Sequence, residues 1–121
     1  MTSKVSRTVL KLNDLTKADE IKWKLWTIPI DSLSGMERLI GNPYVTVVSD
    51  KKFRIYKYEF RHYTDEDNWD WVPRCRLEFI DENGKGGWQF PDDERIVDLM
   101  ETVLFKVSGA SDFFDNFLAD E

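Results

Sequence analysis

The stretch FRIYKYEFRHYTDEDNWDWVPRCRLEFIDENGKGGWQF, residues 53–90, decides the fold. It alternates apolar and polar residues over Phe53–Tyr63 and again over Val72–Ile80, the period of two that marks half-buried strands. A polar loop, Thr64–Trp71, separates the two runs. Asn83-Gly84 then offers a tight hairpin turn, and Gly87–Phe90 is the returning strand. Pairing Tyr63 with Val72 sets Tyr56 opposite Phe79, Tyr58 opposite Leu77 and Phe60 opposite Cys75. Pairing Glu82 with Lys85 across the second turn sets Phe79 opposite Trp88 and Leu77 opposite Phe90. Both hairpins then assign all these side chains to a single apolar face, with Lys57–Glu78 and Glu59–Arg76 pairs on the other. Arg61 opposite Arg74 is the one discordant pair, to be answered by a bound anion or a bulge.

Outward from this meander, Tyr44–Val48 reads as a strand, with a turn at Ser49–Lys52. Ile21–Ile30 also alternates as a strand until Pro29 ends it. The segment 31–40 suggests a helical turn closed by Gly41. Val5, Val9, Leu12 and Leu15 form the apolar stripe of a helix over about residues 6–19. Ile96, Leu99, Met100, Val103 and Val107 form that of a second helix, capped by Asp92 and ended by Gly109. Ser111 can cap a short final helix carrying Phe113, Phe114, Phe117 and Leu118. The expected fold is α+β: an antiparallel β-meander of four to five strands, with N- and C-terminal helices packed on one face. The 121 residues make one domain (1–121), with 110–121 set apart as a candidate docking helix.

Composition narrows the function. Hydrophobic residues at 41% and charged residues at 33% are globular values. The single cysteine, Cys75, can form neither an internal disulfide nor a thiolate zinc site. No run is apolar enough for a signal peptide or a membrane span, so a reducing cytoplasm is the expected location. Residues 1–63 carry 12 Lys/Arg against 7 Asp/Glu, whereas 64–121 carry 5 against 16. Acids clustered in this way repel phosphates, which argues against direct nucleic-acid binding. Solubility is their plainer role; recognition of a basic partner is the sharper one.

No constellation here specifies a catalyst, a cofactor or a metal. His62 stands alone, and a His62–Cys75 nucleophile pair rests on one residue of each kind. Asp65, Asp67 and Asp70 have the beginnings of a calcium loop, but Trp69, Asp70 and Arg76 stand where the pattern needs an oxygen ligand, a glycine and a glutamate. Two features suggest protein contact instead. One is the acidic hairpin tip, Asp65, Glu66 and Asp67, with Trp69 and Trp71. The other is the tail with Phe113, Phe114 and Phe117. For each, folding back on the domain is the expected state, and binding a partner, or a second copy through the tail, is the alternative.

Leu12-x-x-Leu15-Thr16-Lys17-x-x-x-Ile21-x-Trp23 and the later Asp81-Glu82-Asn83-Gly84 resemble segments of many small uncharacterised bacterial and phage α+β proteins. That resemblance implies the fold and an association with mobile elements or defence loci, and it transfers no functional residue. Together these readings lead to the expectation of a non-enzymatic protein-binding module, such as an immunity, anti-defence or regulatory factor. The alternative is a small-molecule binder or small enzyme with a pocket between sheet and helices, lined by Tyr56, Tyr58 and Trp88.

Overall fold

The computed structural model describes residues 3–121. Five strands form one antiparallel sheet in the order of the chain: β1 (Lys24–Leu25), β2 (Glu37–Val48), β3 (Lys51–Tyr63), β4 (Trp69–Ile80) and β5 (Gly86–Gln89). Helix α1 (Lys4–Lys17) precedes the sheet; α2 (Glu94–Val107) and α3 (Ala110–Phe117) follow it. The α+β meander is therefore as expected, and among the described residues no helix is long and apolar enough to cross a membrane.

The helices form where their caps and stripes dictate. Ser3 caps α1 through the Ser6 N–H, and Asp93, one residue beyond the expected Asp92, caps α2 through the Arg95 N–H. Val9 and Leu12 of α1 meet Ile96, Leu99, Met100 and Val103 of α2 above Phe53, Ile55, Cys75, Leu77 and Phe90 of the sheet. Trp23 closes this core near the C-terminal end of α1, its indole N–H bonded to Thr16 Oγ1 at 3.0 Å. Val107, expected in the stripe, lies exposed at the end of α2. The segment expected to be a strand over Ile21–Ile30 pairs only at Lys24–Leu25, and the expected helical turn before Gly41 is instead the start of β2. Gly41, at φ +66°, sits where β2 shifts register against β3.

The register of the central hairpin differs from expectation by three residues: Tyr63 pairs with Trp69, not Val72. The reason lies in the loop. Asp65 Oδ1 accepts the backbone N–H groups of Asp67 and Asn68, at 2.9 Å each, closing the turn early. Trp69, Asp70 and Trp71 therefore join the strand. An odd shift exchanges faces. Phe53 and Ile55 now join Cys75, Leu77 and Phe79 on the helix side, while Tyr56, Tyr58 and Phe60 lie on the opposite side, across from Arg76, Arg74 and Val72. Arg61 faces Trp71, so the discordant arginine pair disappears.

The second hairpin keeps part of its expected register, with Glu78 opposite Gln89. Its turn is not the expected one. Only Gly84 has positive φ, and Asp81 holds the Asn83 and Lys85 N–H groups on its carboxylate in a longer, bulged turn. The two-residue turn with both centres left-handed lies instead at Ser49-Asp50, φ +50° and +65°, between Val48 and Lys51.

The face away from the helices is covered at its centre. Its centre is Arg54, fully buried, whose Nε donates to the equally buried Glu78 at 2.8 Å. The same guanidinium donates to the Gly84 carbonyl, Asp31 and Ser32. One residue pair along the strands, Arg76 donates to Tyr56 Oη at 2.9 Å and to Glu37 at 3.0 Å. The two arginines thus strap the irregular segment 31–37 across this face. Burial pushes the Tyr56 phenol up to about 12. Desolvation also raises the Asp31 and Glu37 carboxyls, but hydrogen bonds outweigh it, from the Gly86 N–H and Arg54 at Asp31 and from Arg76 and the Ser34 N–H at Glu37. Both carboxyls lie below their ordinary values.

Pro73 marks the outer margin of the sheet. β5 covers only the last part of β4, leaving the stretch from Trp69 onward without a strand beyond it. The Leu77 carbonyl points outward to the Phe90 N–H, and Pro73 shares its backbone phase, so its missing N–H falls on that open margin and not on the β3 ladder.

Removing one member of a buried ion pair leaves the other uncompensated. Arg54→Met is expected to cost about 3–5 kcal/mol in urea unfolding; a loss below about 1 kcal/mol would contradict the strap's central role. The lowered carboxyls stabilise the fold fully above the ordinary carboxylate range, near pH 4, and lose that contribution as pH falls through their folded values. The urea midpoint should therefore drop on acidification, and less steeply in Glu37→Gln; parallel curves for the two proteins would count against the assignment.

Candidate functional site

Helix α3 is built to be displayed. Gly109, at φ +80°, ends α2 and starts α3 in one residue, the left-handed step that a side chain disfavours. The turn sets α3 against α2 along one edge, where the Phe105 and Phe114 rings lie 6.3 Å apart and Lys106 Nζ reaches Ser111 Oγ at 3.4 Å. No residue of α3 is buried. Phe113 is 58% exposed and Phe117 71%, their rings stacked 5.4 Å apart at 11°. Phe114 and Leu118 are also half exposed. The expected folding back of the tail thus covers little of it. At helical spacing, residues 113, 114, 117 and 118 share one side, with Asp112 and Asp115 behind them.

The hairpin tip behaves differently. Asp65 spends its carboxylate on the turn: Asn68 Nδ2 donates at 2.9 Å, and this bond, with the Asp67 and Asn68 backbone N–H groups, lowers its pKa. Glu66 and Asp67 are exposed beside it. Trp69 and Trp71 leave the loop for β4, where their rings meet edge to face at 5.2 Å. The Arg61 guanidinium lies 4.8 Å from the Trp69 ring, and that of Arg38 lies 3.9 Å from Trp71. Contacts of this kind are worth about 0.5–1 kcal/mol each at exposed sites. The indoles therefore fold back onto the sheet, as expected, and are already occupied. The tip lies at the β3–β4 turn while α3 is rooted beside Asp19, which Lys106 pairs at 3.3 Å, so the two groups do not form one surface.

His62 and Cys75 do not meet. Cys75 is buried on the helix side, its thiol pushed up by burial. His62 is exposed on the opposite side of the sheet, paired with Asp70 along the ladder. The proposed pocket lining is not assembled either: Tyr56 and Tyr58 are buried under the 31–37 strap, and Trp88 stands half exposed on β5 against Phe79 and Phe90. The space between sheet and helices is filled by core side chains. Among the described residues, no three His, Cys, Asp or Glu side chains group as metal ligands do.

A cleft that sequence reasoning missed lies at the β1 margin. About 470 Å³ in volume, it is lined by Ile21, Val45 and Val47 together with Thr46, Glu20 and three lysines, Lys22, Lys24 and Lys52. Val47 is 61% exposed there. The alternation of lysines at 22 and 24 was visible; that β3 brings Lys52 to the same place was not. No protein family, curated protein or solved structure matches the chain, so these surfaces must be read from their own chemistry.

Side chains that touch little in the fold cost little to change. Phe113→Ser with Phe117→Ser should leave the free energy of urea unfolding at micromolar protein within about 0.5 kcal/mol of wild type; a larger loss would mean that α3 supports the core.

Proposed function

We propose that this protein is a non-enzymatic binding module, acting by docking α3 into an apolar groove edged with basic residues on another protein. The observation that carries the reading is the open aromatic side of α3, of which the fold engages only Phe114, against Phe105. Helices recognised in this way present anchors one turn apart, as Phe113, Phe114 and Phe117 are. Charge sets the partner's character: residues 110–121 contain Asp112, Asp115, Asp120 and Glu121 and no Lys or Arg. A groove rimmed by Lys or Arg gains attraction and faster encounter from this pattern, while an acidic surface is repelled. The tip at Asp65, Glu66, Asp67, Trp69 and Trp71 ranks second, because its indoles are engaged within the molecule.

A small acidic factor of the immunity, anti-defence or regulatory kind fits these properties, in keeping with the resemblance of its opening motif to phage and bacterial proteins. The test is comparative capture. Immobilised full chain should retain a stoichiometric basic partner from its source cell, and Phe113→Ser/Phe117→Ser, equally stable, should lose it at least about tenfold in affinity, as expected when two buried aromatic anchors are removed. Equal capture by both proteins would refute the α3 reading, and loss through Glu66→Lys/Asp67→Lys alone would transfer it to the tip.

A further inference from the structure

We infer that this chain carries a groove for its own α3, so that two copies associate by reciprocal exchange of that helix. The inference rests on the docking role of α3 and names one partner for it. The groove required is apolar at its floor and basic at its rim. The cleft at the β1 margin has both characters in its lining, with the apolar Ile21, Val45 and Val47 beside Thr46 and the lysines Lys22, Lys24 and Lys52, against a single lining acid, Glu20. The sequence divides its charge in the same sense, the surplus of Lys and Arg in residues 1–63 and that of Asp and Glu in 64–121.

Adjacency sets the geometry. Ile21 and Lys22 also line a second cleft that includes Ser111 and Asp112, so the root of α3 is next to the basic groove of its own chain. Yet in cis the helix leaves Phe113, Phe117 and Leu118 half exposed or more. A neighbour whose helix root and groove are adjacent can accept this helix and return its own across a two-fold axis. Contacts that are reciprocal in this way close as a pair and do not propagate as a filament. The exposed parts of three phenylalanines, if wholly covered and matched by equal area on both partners of two equivalent contacts, come to at most roughly 1,400 Å², at the lower end of specific interfaces. Single turns of helix held by surface charges make such a pair reversible and weaker in salt.

Light scattering on the full chain across a range of concentrations tests this. The mass should rise from that of one chain, 14.3 kDa, toward two. Lys22→Glu/Lys24→Glu/Lys52→Glu should weaken association about tenfold or more, since each reversed pair is worth a fraction of a kcal/mol and becomes repulsive. Phe113→Ser/Phe117→Ser should weaken it likewise, and adding Asp112→Lys/Asp115→Lys to the lysine-reversed chain should restore it. Unfolding curves on each variant establish that it is folded. A wild-type chain that stays single at all concentrations, or a dimer that lysine reversal leaves unchanged, would overturn the inference. The docking role of α3 fails separately: the lysine-reversed chain keeps α3 intact and free, and its inability to capture the basic partner counts against docking, whatever the oligomeric state.

Discussion

The rest of the structure hangs on the buried contact between Arg54 and Glu78. It joins β3 to β4 as a direct cross-strand pair, and the same guanidinium reaches the Gly84 carbonyl of the next turn and Asp31 and Ser32 of the strap. A charge in a dry interior is costly unless its bonds are complete, and this one is completed only when four separate parts of the chain are in place. Any register that moved Glu78 to the helix side would leave Arg54 without its partner in the interior. The pair therefore selects among alternatives more than it adds net stability. Arg76, with Tyr56 and Glu37, repeats the device one step further along.

That selection explains which parts of the fold were legible in sequence. The helices announced themselves because each has one apolar stripe, and the α2 cap lies within a position of the expected one; the cap expected of Ser111 is absent, since α3 starts from Gly109 with no side-chain cap. The strands did so through their alternation, although β1 is only two residues long, with Trp23 beside it in the core. The register of β3 on β4 was not legible, because β3 is apolar on both sides: Phe53 and Ile55 on one, Tyr56, Tyr58 and Phe60 on the other. A periodic pattern cannot choose between two such faces. The choice falls to an arginine that reads as a surface residue and to an aspartate, Asp65, that shortens the loop. Buried polar networks leave no periodic trace, so the side of the sheet covered by the strap could not be foreseen.

The candidate site divides in the same manner. Phe113, Phe114 and Phe117 were recognisable as an amphipathic helix, and their exposure follows from a fact of assembly: α1 and α2 already fill the space above the sheet. The basic cleft was hidden because its residues come from three places, the approach to β1, the end of β2 and the start of β3. Lys22 and Lys24 look like the ordinary solvated side of a strand until Lys52 is placed beside them. Attraction between such surfaces has little reach beyond about 8–10 Å at physiological salt, so in the inferred pairing the apolar parts of both would supply most of the binding and the charges its direction.

Pro73 has a wider consequence. A long strand left bare along one side invites identical strands to stack against it, the route by which sheets grow into fibrils. An imino acid in the outward phase removes one rung from that template. The template at that margin is thereby shortened, and an approaching copy finds fewer backbone groups to pair with there.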